Sequence, residues 1–358
     1  MKNKAKQNSK AQKKARALFL LVTAACCLSF FSCASFGRKK NSIKIVNWNA
    51  QTFFDGNKDG IEYSNFIKSK KWNEEAYKDR LQKLCKAINA LDGDLVILEE
   101  IENQGIIFDI SNALAGDNWN PAKVYRYACF AKKQDSSIGC AVLSRFPLQG
   151  LKVHSLDIQS ERQKLPSMRP LIEVDLLAPK RLKIFVNHWK SKSGGGDSGI
   201  WRRWQESLLA QKILEALKED SSAPIICAGD FNQDISEFAK ADSAAAIFGD
   251  EGIFLPEENG LALSRKNEPN VLLRSPTSGQ EVLMYSPWPD YEGELGSYNF
   301  RDKWERIDHF FCGGNLALSD FSPQTGEWSY EDGRPKPFKI YSLNGWSDHL
   351  PISCRVEF

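Results

Sequence analysis

The sequence predicts an α/β fold in which two packed β-sheets carry helices on their outer faces. Three observations point there. Short, apolar, β-branched segments outnumber amphipathic helical ones, the helical segments fall between groups of strands, and no second apolar cluster is set off by a linker. In order, the strand segments are 43–49 (IKIVNWN), 95–98 (LVIL, after the turn Asp92-Gly93-Asp94), 124–130, 139–143, 171–177, 182–188, 224–228, 307–312 and 352–358. Residues 72–91 repeat apolar side chains at helical spacing (Ala76, Leu81, Leu84, Ile88, Leu91), as do 201–217 (Trp204, Leu208, Ile213, Leu217); 106–114 and 238–248 read as shorter helices. Residues 249–296, rich in Gly, Pro, Glu and Ser, read as a long surface excursion. One domain over 41–358 follows.

A chain of 358 residues with 42% hydrophobic and 26% charged residues is neither globally disordered nor fibrous. Its nine cysteines are too sparse for a disulfide scaffold. The formal charge of +3 misleads. Residues 1–40 hold ten Lys/Arg and no acid, and without them 38 basic residues face 45 acidic ones, a net of −7. Those forty residues read as an export leader and short linker: a Lys-rich start, then an apolar run over 17–31, shorter than the roughly 20 residues a spanning helix needs. Ser32-Cys33-Ala34 after the run resembles a bacterial lipoprotein signal with Cys33 as the lipidated residue, although Phe30 and Phe31 sit where smaller or aliphatic residues are usual. Cys26, after Ala24-Ala25, is a second candidate; cleavage after Ala34, or an uncleaved anchor, is the alternative. The expected location is periplasmic or cell-surface, tethered by lipid, with free secretion as the other outcome. The six cysteines of the body lie among apolar residues, as buried thiols do. Cys129 and Cys140 flank a polar turn, which leaves a disulfide between them open, and no C-x-x-C suggests zinc.

The chemistry lies at strand ends. Asn47-Trp48-Asn49, Glu99-Glu100, Asn187-His188, Gly229-Asp230-Phe231-Asn232, Asp308-His309 and Ser347-Asp348-His349 all follow or bound apolar strands. One such ending is an ordinary loop start. Six endings rich in carboxylate, amide and imidazole, if brought to one rim, make a metal and acid–base site. Glu100, Asp348 and Asn49 offer oxygens to a hard divalent cation. His188 and His349 titrate near neutrality. Asp230 and Asn232, two apart, point the same way in an extended chain.

VNWN, LEEIEN, LSRFP, NHWKSK, GDFN, RIDH and SDHLPI, in this order, resemble the endonuclease/exonuclease/phosphatase superfamily, over essentially all of 43–358. The resemblance implies a four-layered αββα sandwich with two packed, mainly antiparallel sheets. It implies Glu100 as principal metal ligand supported by Asn49 and Asp348, His349 as general base, Asp308 as its orienting carboxylate, Asp230 and Asn232 as the pair placing nucleophile and phosphate, and His188 as stabiliser of the transition state or proton donor to the leaving oxygen. Mg²⁺ is the expected metal, with Mn²⁺ or Ca²⁺ as alternatives. His309 reads as structural and His154 as a bystander in a plain strand or loop, Glu99 stands where the family often has Gln, and Glu102 reads as a solvated charge.

His188 and NHWKSK followed by a glycine run resemble the exported bacterial nuclease branch. Arg145, Arg169, Lys190, Lys192 and Arg203 are the candidates for substrate phosphates. The expected function is therefore a metal-dependent, exported nuclease cutting DNA, with RNA as a further substrate. The alternative is a phospholipid, sphingomyelin or inositol-phosphate phosphohydrolase, suggested by the lipid tether, the net acidity and the aromatics Tyr285, Trp288 and Tyr291 in the excursion. A non-enzymatic binding lipoprotein is disfavoured by intact catalytic positions. The expected partners are nucleic acid and a membrane, with no protein partner and a monomeric state.

Overall fold

The computed structural model describes residues 42–117, 120–156, 168–192, 198–239, 259–266, 268–274, 279–314 and 316–358. The leader, with Cys33 and Cys26, lies outside the described residues, as does the helix expected at 238–248 beyond a 3-10 turn at Ile235–Ala239. Ser42–Phe358 form one compact unit.

Among the described residues two large sheets pack face to face. The first has the order β15-β16-β1-β2-β4-β3. Here β1 is Ser42–Phe53, β2 Leu95–Ile101, β3 Tyr127–Ala131, β4 Gly139–Ser144, β15 Ala317–Pro323 and β16 Ile352–Glu357. The second has the order β10-β9-β11-β14-β8-β7-β6-β5. It is built from β5 Leu148–His154, β6 Leu171–Leu177, β7 Arg181–His188, β8 Ile225–Asp230, β9 Gly260–Arg265, β10 Glu268–Arg274, β11 Glu281–Tyr285 and β14 Asp308–Gly313. A small hairpin, β12 Tyr298–Phe300 and β13 Lys303–Glu305, stands apart. Within both large sheets the pairings are antiparallel except β1–β2, β7–β8 and β9–β11.

Side-chain alternation builds the layers. Along β1, Ile43 and Ile45 face the second sheet with Leu95, Ile97, Ile184, Val186 and Phe310, while Val46 and Trp48 face the helices. Helix α1 is Ser64–Lys68, α2 Glu74–Leu91, α3 Gln104–Asp117 and α4 Ser198–Glu219. α2 starts on Asn73, whose side chain accepts from the Ala76 amide, carries Glu74 and Glu75 in its first turn, and ends on left-handed Asp92. Its Leu81, Leu84 and Ile88 pack on the first sheet with Ile106 and Ile110 of α3. Leu209, Ala210 and Ile213 of α4 pack on Phe185, Cys227 and Phe311 of the second. The result is helix, sheet, sheet, helix. No helix among the described residues is long and apolar enough to cross a membrane.

One expectation needs correction, and one open question about the cysteines is answered. The surface excursion at 249–296 instead supplies β9, β10 and β11 to the second sheet, and Trp288 is fully buried with its Nε1 donating to the Asp308 carbonyl. Each strand is short and flanked by Gly, Pro or Glu, so composition masked them. The hairpin expected around Cys129 and Cys140 exists, but its register sets Cys129 against Val142 and Cys140 against Ala131, and both thiols are free.

The backbone of Gly229 sits at φ +145°, and a Cβ there would lie 1.9 Å from the Asn187 carbonyl oxygen. Gly229→Ala is therefore expected to lower stability by about 2–4 kcal/mol, read as a reduced urea midpoint. An unchanged midpoint would show that β7 and β8 can separate freely at this point.

Candidate active site

Register places the second sheet's contribution. Asp308 of β14 pairs with Asp230 of β8, and Asp230 pairs with His188 of β7. Three neighbouring strands thus deliver three polar side chains in one row, at the edge that faces the ends of β1 and β2. From the first sheet come Asn49 and Glu100, and the loop before β16 supplies Asp348 and His349. Trp48 Nε1 donates to the His349 carbonyl (3.0 Å) and Ser347 Oγ donates to the Asn49 carbonyl (2.6 Å), which pins that loop to β1.

The contacts are close. His349 Nδ1 donates to Asp308 Oδ2 at 2.8 Å, leaving Nε2 toward the site. Asn49 Nδ2 donates to Asp230 Oδ2 at 3.0 Å and lies 3.4 Å from Glu100 Oε1. The Thr52 amide donates to Glu100 Oε2 at 2.5 Å. His188 Nε2 is 3.6 Å from Asp230 Oδ2 and 3.8 Å from Glu100 Oε1. Asp230 and Asn232 converge, but not through extended chain as expected. Asn232 is left-handed (φ +49°), and its Nδ2 folds back to donate to Asp230 Oδ2 (2.9 Å) and the Trp189 carbonyl (3.1 Å). Glu100 is also left-handed (φ +63°), so backbone strain gathers at this rim.

Burial and charge drive the two imidazoles apart. Burial opposes the charged form of His349, but Asp308, Asp230 and Asp348 outweigh it and hold its pKa well above the ordinary value. Burial, with Arg169 and His349 nearby, holds His188 well below it, as a neutral ring. Asp230 is pushed up to about 7, by burial first and by Asp308. Burial and the Glu100 charge also raise Asp348. Glu99, fully buried beneath the row with Asp308 and Asp230 nearby, is raised well above the carboxylate range.

Residues 44–250 match the family model described as Endonuclease/Exonuclease/phosphatase family. The chain belongs to this family. No curated protein matches the chain. Solved structures do, at fold level. The truncated TDP2 of Caenorhabditis elegans superposes with a TM-score of 0.54 at 13% identity, over 88% of this chain and 98% of that one. D. rerio TDP2 complexed with a single-strand DNA product gives 0.51 at 16%, over 88% and 99%. An endonuclease/exonuclease/phosphatase family protein from Bacteroides thetaiotaomicron gives 0.51 at 15%, over 88% and 95%. Family members are hydrolases of phosphoester bonds, typically dependent on a divalent metal, and the four-layered sandwich is theirs.

The donor set fits such a metal. Glu100 and Asp348 present carboxylate oxygens, the hard ligands that Mg²⁺ and Ca²⁺ select; Asn49 adds Oδ1, which accepts from the Gln51 amide, while its Nδ2 faces Asp230 and Glu100. Donor atoms of Asp230, Asp308 and His349 also lie within 4.8 Å of one another, but the hydrogen bond from His349 to Asp308 already occupies two of them.

The expected phosphate contacts divide. Arg145 sits at the opposite rim, paired with Asp92 (2.7 Å) and Asp94 (3.4 Å) at the start of β2, so it cannot reach the site. Arg203 is buried and paired with Glu206 (2.6 Å), which also accepts from the Leu261 amide. Lys192 bridges Glu237 and Glu305. Arg169 and Lys190 remain at the rim, Arg169 donating to the Trp189 carbonyl (3.1 Å) with the Tyr63 side chain nearby. Glu102 is buried, not solvated, and accepts from the Asp55 amide. His309 is structural, its Nε2 on the Gln233 carbonyl (2.8 Å) and its ring stacked on Phe311.

Sequence reasoning missed three groups. Ser297 Oγ accepts from the Asp308 amide, Arg202 Nη1 donates to the Lys190 carbonyl, and the Tyr298 ring lies 4.9 Å from His349. Serine, arginine and tyrosine in loops and helices carry no local signal for this. Ser297 and Tyr298 stand eleven and ten residues before Asp308, and Arg202 adjoins the candidate Arg203.

The Asp308–His349 pair makes a titration prediction for the metal-free protein. A raised folded pKa contributes stability that is fully present below the unfolded value near 6.5 and is lost as pH rises through the folded value. Asp308→Asn is expected to bring the His349 titration, followed by imidazole NMR, down toward or below 6.5. Its stability deficit should then be larger near neutrality than at strongly alkaline pH. An unmoved titration would show that Asp308 does not govern this imidazole.

Proposed function

We propose that the chain is an exported, metal-dependent nuclease that hydrolyses phosphodiester bonds of DNA, and of RNA where single strands are presented. One observation carries the choice of substrate. On the hairpin β12–β13, the rings of Tyr298 and Phe300 lie parallel within 11°, 6.5 Å apart, the first against His349 and the second about half exposed. The Arg301 guanidinium caps Phe300 at 5.0 Å. A strip of exposed π-face with an arginine, running outward from the general base, is what stacking of successive bases requires. Across the site Arg169, Lys190 and Arg202 gather around the end of β7, and among the described residues none has an ion-pair partner. They suit the flanking phosphates of the same strand. In fold terms, the D. rerio TDP2 sandwich accommodates a single-strand DNA product. The lipid reading loses its structural motive, because Trp288 is fully buried and Tyr285 and Tyr291 pack beside it. Export and lipid tethering through Cys33 rest on the leader sequence.

In this reading His349, charged in the metal-free protein, would be neutral at Nε2 once a cation offsets the carboxylates around it, and would then take the proton of the attacking water while Asp308 orients the imidazole and stabilises its charged form. Asp230 and Asn232 position water and phosphate. Neutral His188 donates a hydrogen bond to a phosphoryl oxygen as charge builds there. Glu100, with Asn49 and Asp348, would hold the divalent cation, Mg²⁺ in this reading, whose charge offsets that of the phosphate.

Purified protein with Mg²⁺, Mn²⁺ or Ca²⁺ should nick plasmid and cut single-stranded oligonucleotides, and EDTA or Glu100→Ala should abolish both. His349→Ala is expected to lower kcat by about 10²–10⁴-fold. Phe300→Ala with Arg301→Ala should raise KM for an oligonucleotide about tenfold while hydrolysis of bis(p-nitrophenyl) phosphate holds. Intact nucleic acids with every metal, together with choline phosphate released from sphingomyelin vesicles, would overturn the reading.

A further inference from the structure

Arg80, on the inner face of α2, is a buried cation with no described carboxylate partner. It is 3% exposed. Its guanidinium lies between two rings, 3.7 Å from the Phe338 centroid and 4.7 Å from that of Phe53. Its hydrogen bonds all go to main-chain carbonyls: Nη1 donates to Thr52 at 3.0 Å, Nη2 to Ala50 at 3.0 Å and to Gln51 at 2.5 Å. Nε has no partner among the described residues. Taking a guanidinium out of water without a counter-charge is costly, so its retention calls for a specific return.

The three carbonyls belong to one turn, an irregularity inside β1 where its pairing with β2 shifts register between Asn49 and Phe53. Within it Gln51 and Thr52 are both left-handed, at φ +50° and +48°, a conformation that non-glycine residues avoid. The other edge of the same turn faces the site. The Gln51 amide donates to Asn49 Oδ1 at 2.9 Å and the Thr52 amide to Glu100 Oε2 at 2.5 Å. One guanidinium therefore grips the carbonyls of a strained turn whose amides hold two of the candidate metal ligands. The Gln51 side chain closes the same unit, its Oε1 accepting from the Phe338 amide at 2.7 Å, directly beside the ring that stacks on Arg80.

We infer that Arg80 is a positioning residue for the metal site: by clamping the left-handed turn at Ala50, Gln51 and Thr52 it fixes Asn49 and Glu100 in the geometry that receives the cation. Arg80 touches neither substrate nor ligand and acts only through the turn. The charges of Glu100 and Asp348 reach the guanidinium through the protein and partly offset the cost of burying it. A planar fork can bind three carbonyls at once, whereas a lysine ammonium at the end of a flexible stem cannot hold the same plane or stack between the rings.

The inference rests on the metal-dependent reading, and its test reads metal binding and not turnover. Mn²⁺ affinity of the full chain is measured by the electron paramagnetic resonance of the free ion, for wild type, Arg80→Met, Arg80→Lys and Arg145→Met. Arg145→Met removes another largely buried arginine, at the far rim, and controls for general loss of stability. All are assayed well below their unfolding midpoints. The expected result is a Kd for Mn²⁺ raised about tenfold or more in Arg80→Met, a smaller rise in Arg80→Lys, and wild-type affinity in Arg145→Met. Wild-type affinity in a folded Arg80→Met would overturn the proposal. So would an equal loss in Arg145→Met, since that would trace the effect to stability. Should Arg80→Met not fold, Arg80→Lys decides by the same comparison. No Mn²⁺ binding by the wild-type protein would instead overturn the metal reading itself, and this inference with it.

Discussion

The site depends on the register of three strands, β14, β8 and β7, which sets Asp308, Asp230 and His188 in one row. Strand side chains alternate faces, so a slip of one residue in either pairing would turn one of the three into the opposite layer. Two features hold the register. Gly229 lets β8 approach the Asn187 backbone more closely than any side chain permits. Beneath it, Trp189, Phe231 and Phe311 pack edge to face, so the outward-facing core of this sheet is locked by the residues interleaved with the polar row. The first sheet needs no such precision along its length. It needs β1 and β2 to end together, which their parallel pairing from Ile45–Leu95 to Asn49–Glu99 provides.

Carboxylates concentrated this densely would not survive as independent charges. Glu99, Asp230 and Asp348 all resist ionisation, while His349 is held charged by the same neighbours. His188, a few ångströms from Glu100 and Asp230, goes the other way because burial and the adjacent cation Arg169 outweigh those acids. Two histidines in one pocket are thus given opposite ground states by their surroundings in the metal-free protein, and on the nuclease reading His349 can serve as a base only when a cation offsets the carboxylates that hold it charged.

Much of this was legible because it is local. A polar cluster at the end of an apolar strand stays at that end whatever the tertiary structure, so Asn49, Glu100, His188, Asp230, Asp308 and His349 could be read before the sheets were assembled. Residue types whose role depends on partners were not legible. Arg202 and Arg203 are adjacent on α4, yet one donates to the Lys190 carbonyl beside the site and the other is consumed by Glu206 in the core. Arg145 follows LS in a family motif and still belongs to the far rim, because β4 runs antiparallel to β2 and its C-terminal end lies beside Asp94. Arg80 reads on sequence as one more charged residue of an amphipathic helix. Its place four residues from both Ala76 and Leu84 puts it on the apolar stripe, but only the fold shows the carbonyls that it binds there. β9, β10 and β11 failed for another reason: five to seven residues each, broken by Gly and Glu, they gain strand structure from joining an existing sheet edge and not from their own periodicity.

The charge distribution then acquires a consequence for how a polyanion would be bound. The body carries −7, and the rim that on the nuclease reading receives a phosphodiester is lined with acids. Arg169, Lys190, Arg202 and Arg301 offer local attraction, but the scissile position itself lies against Glu100, Asp230 and Asp348. On the nuclease reading, a cation among those oxygens does more than assist the chemistry. It removes the repulsion that the empty site would exert on the substrate, so cation and substrate each raise the other's affinity, by equal factors as linkage demands. A clamp that preorganises the ligands before the cation arrives therefore acts on substrate binding as well, although Arg80 lies behind the turn and never meets the nucleic acid.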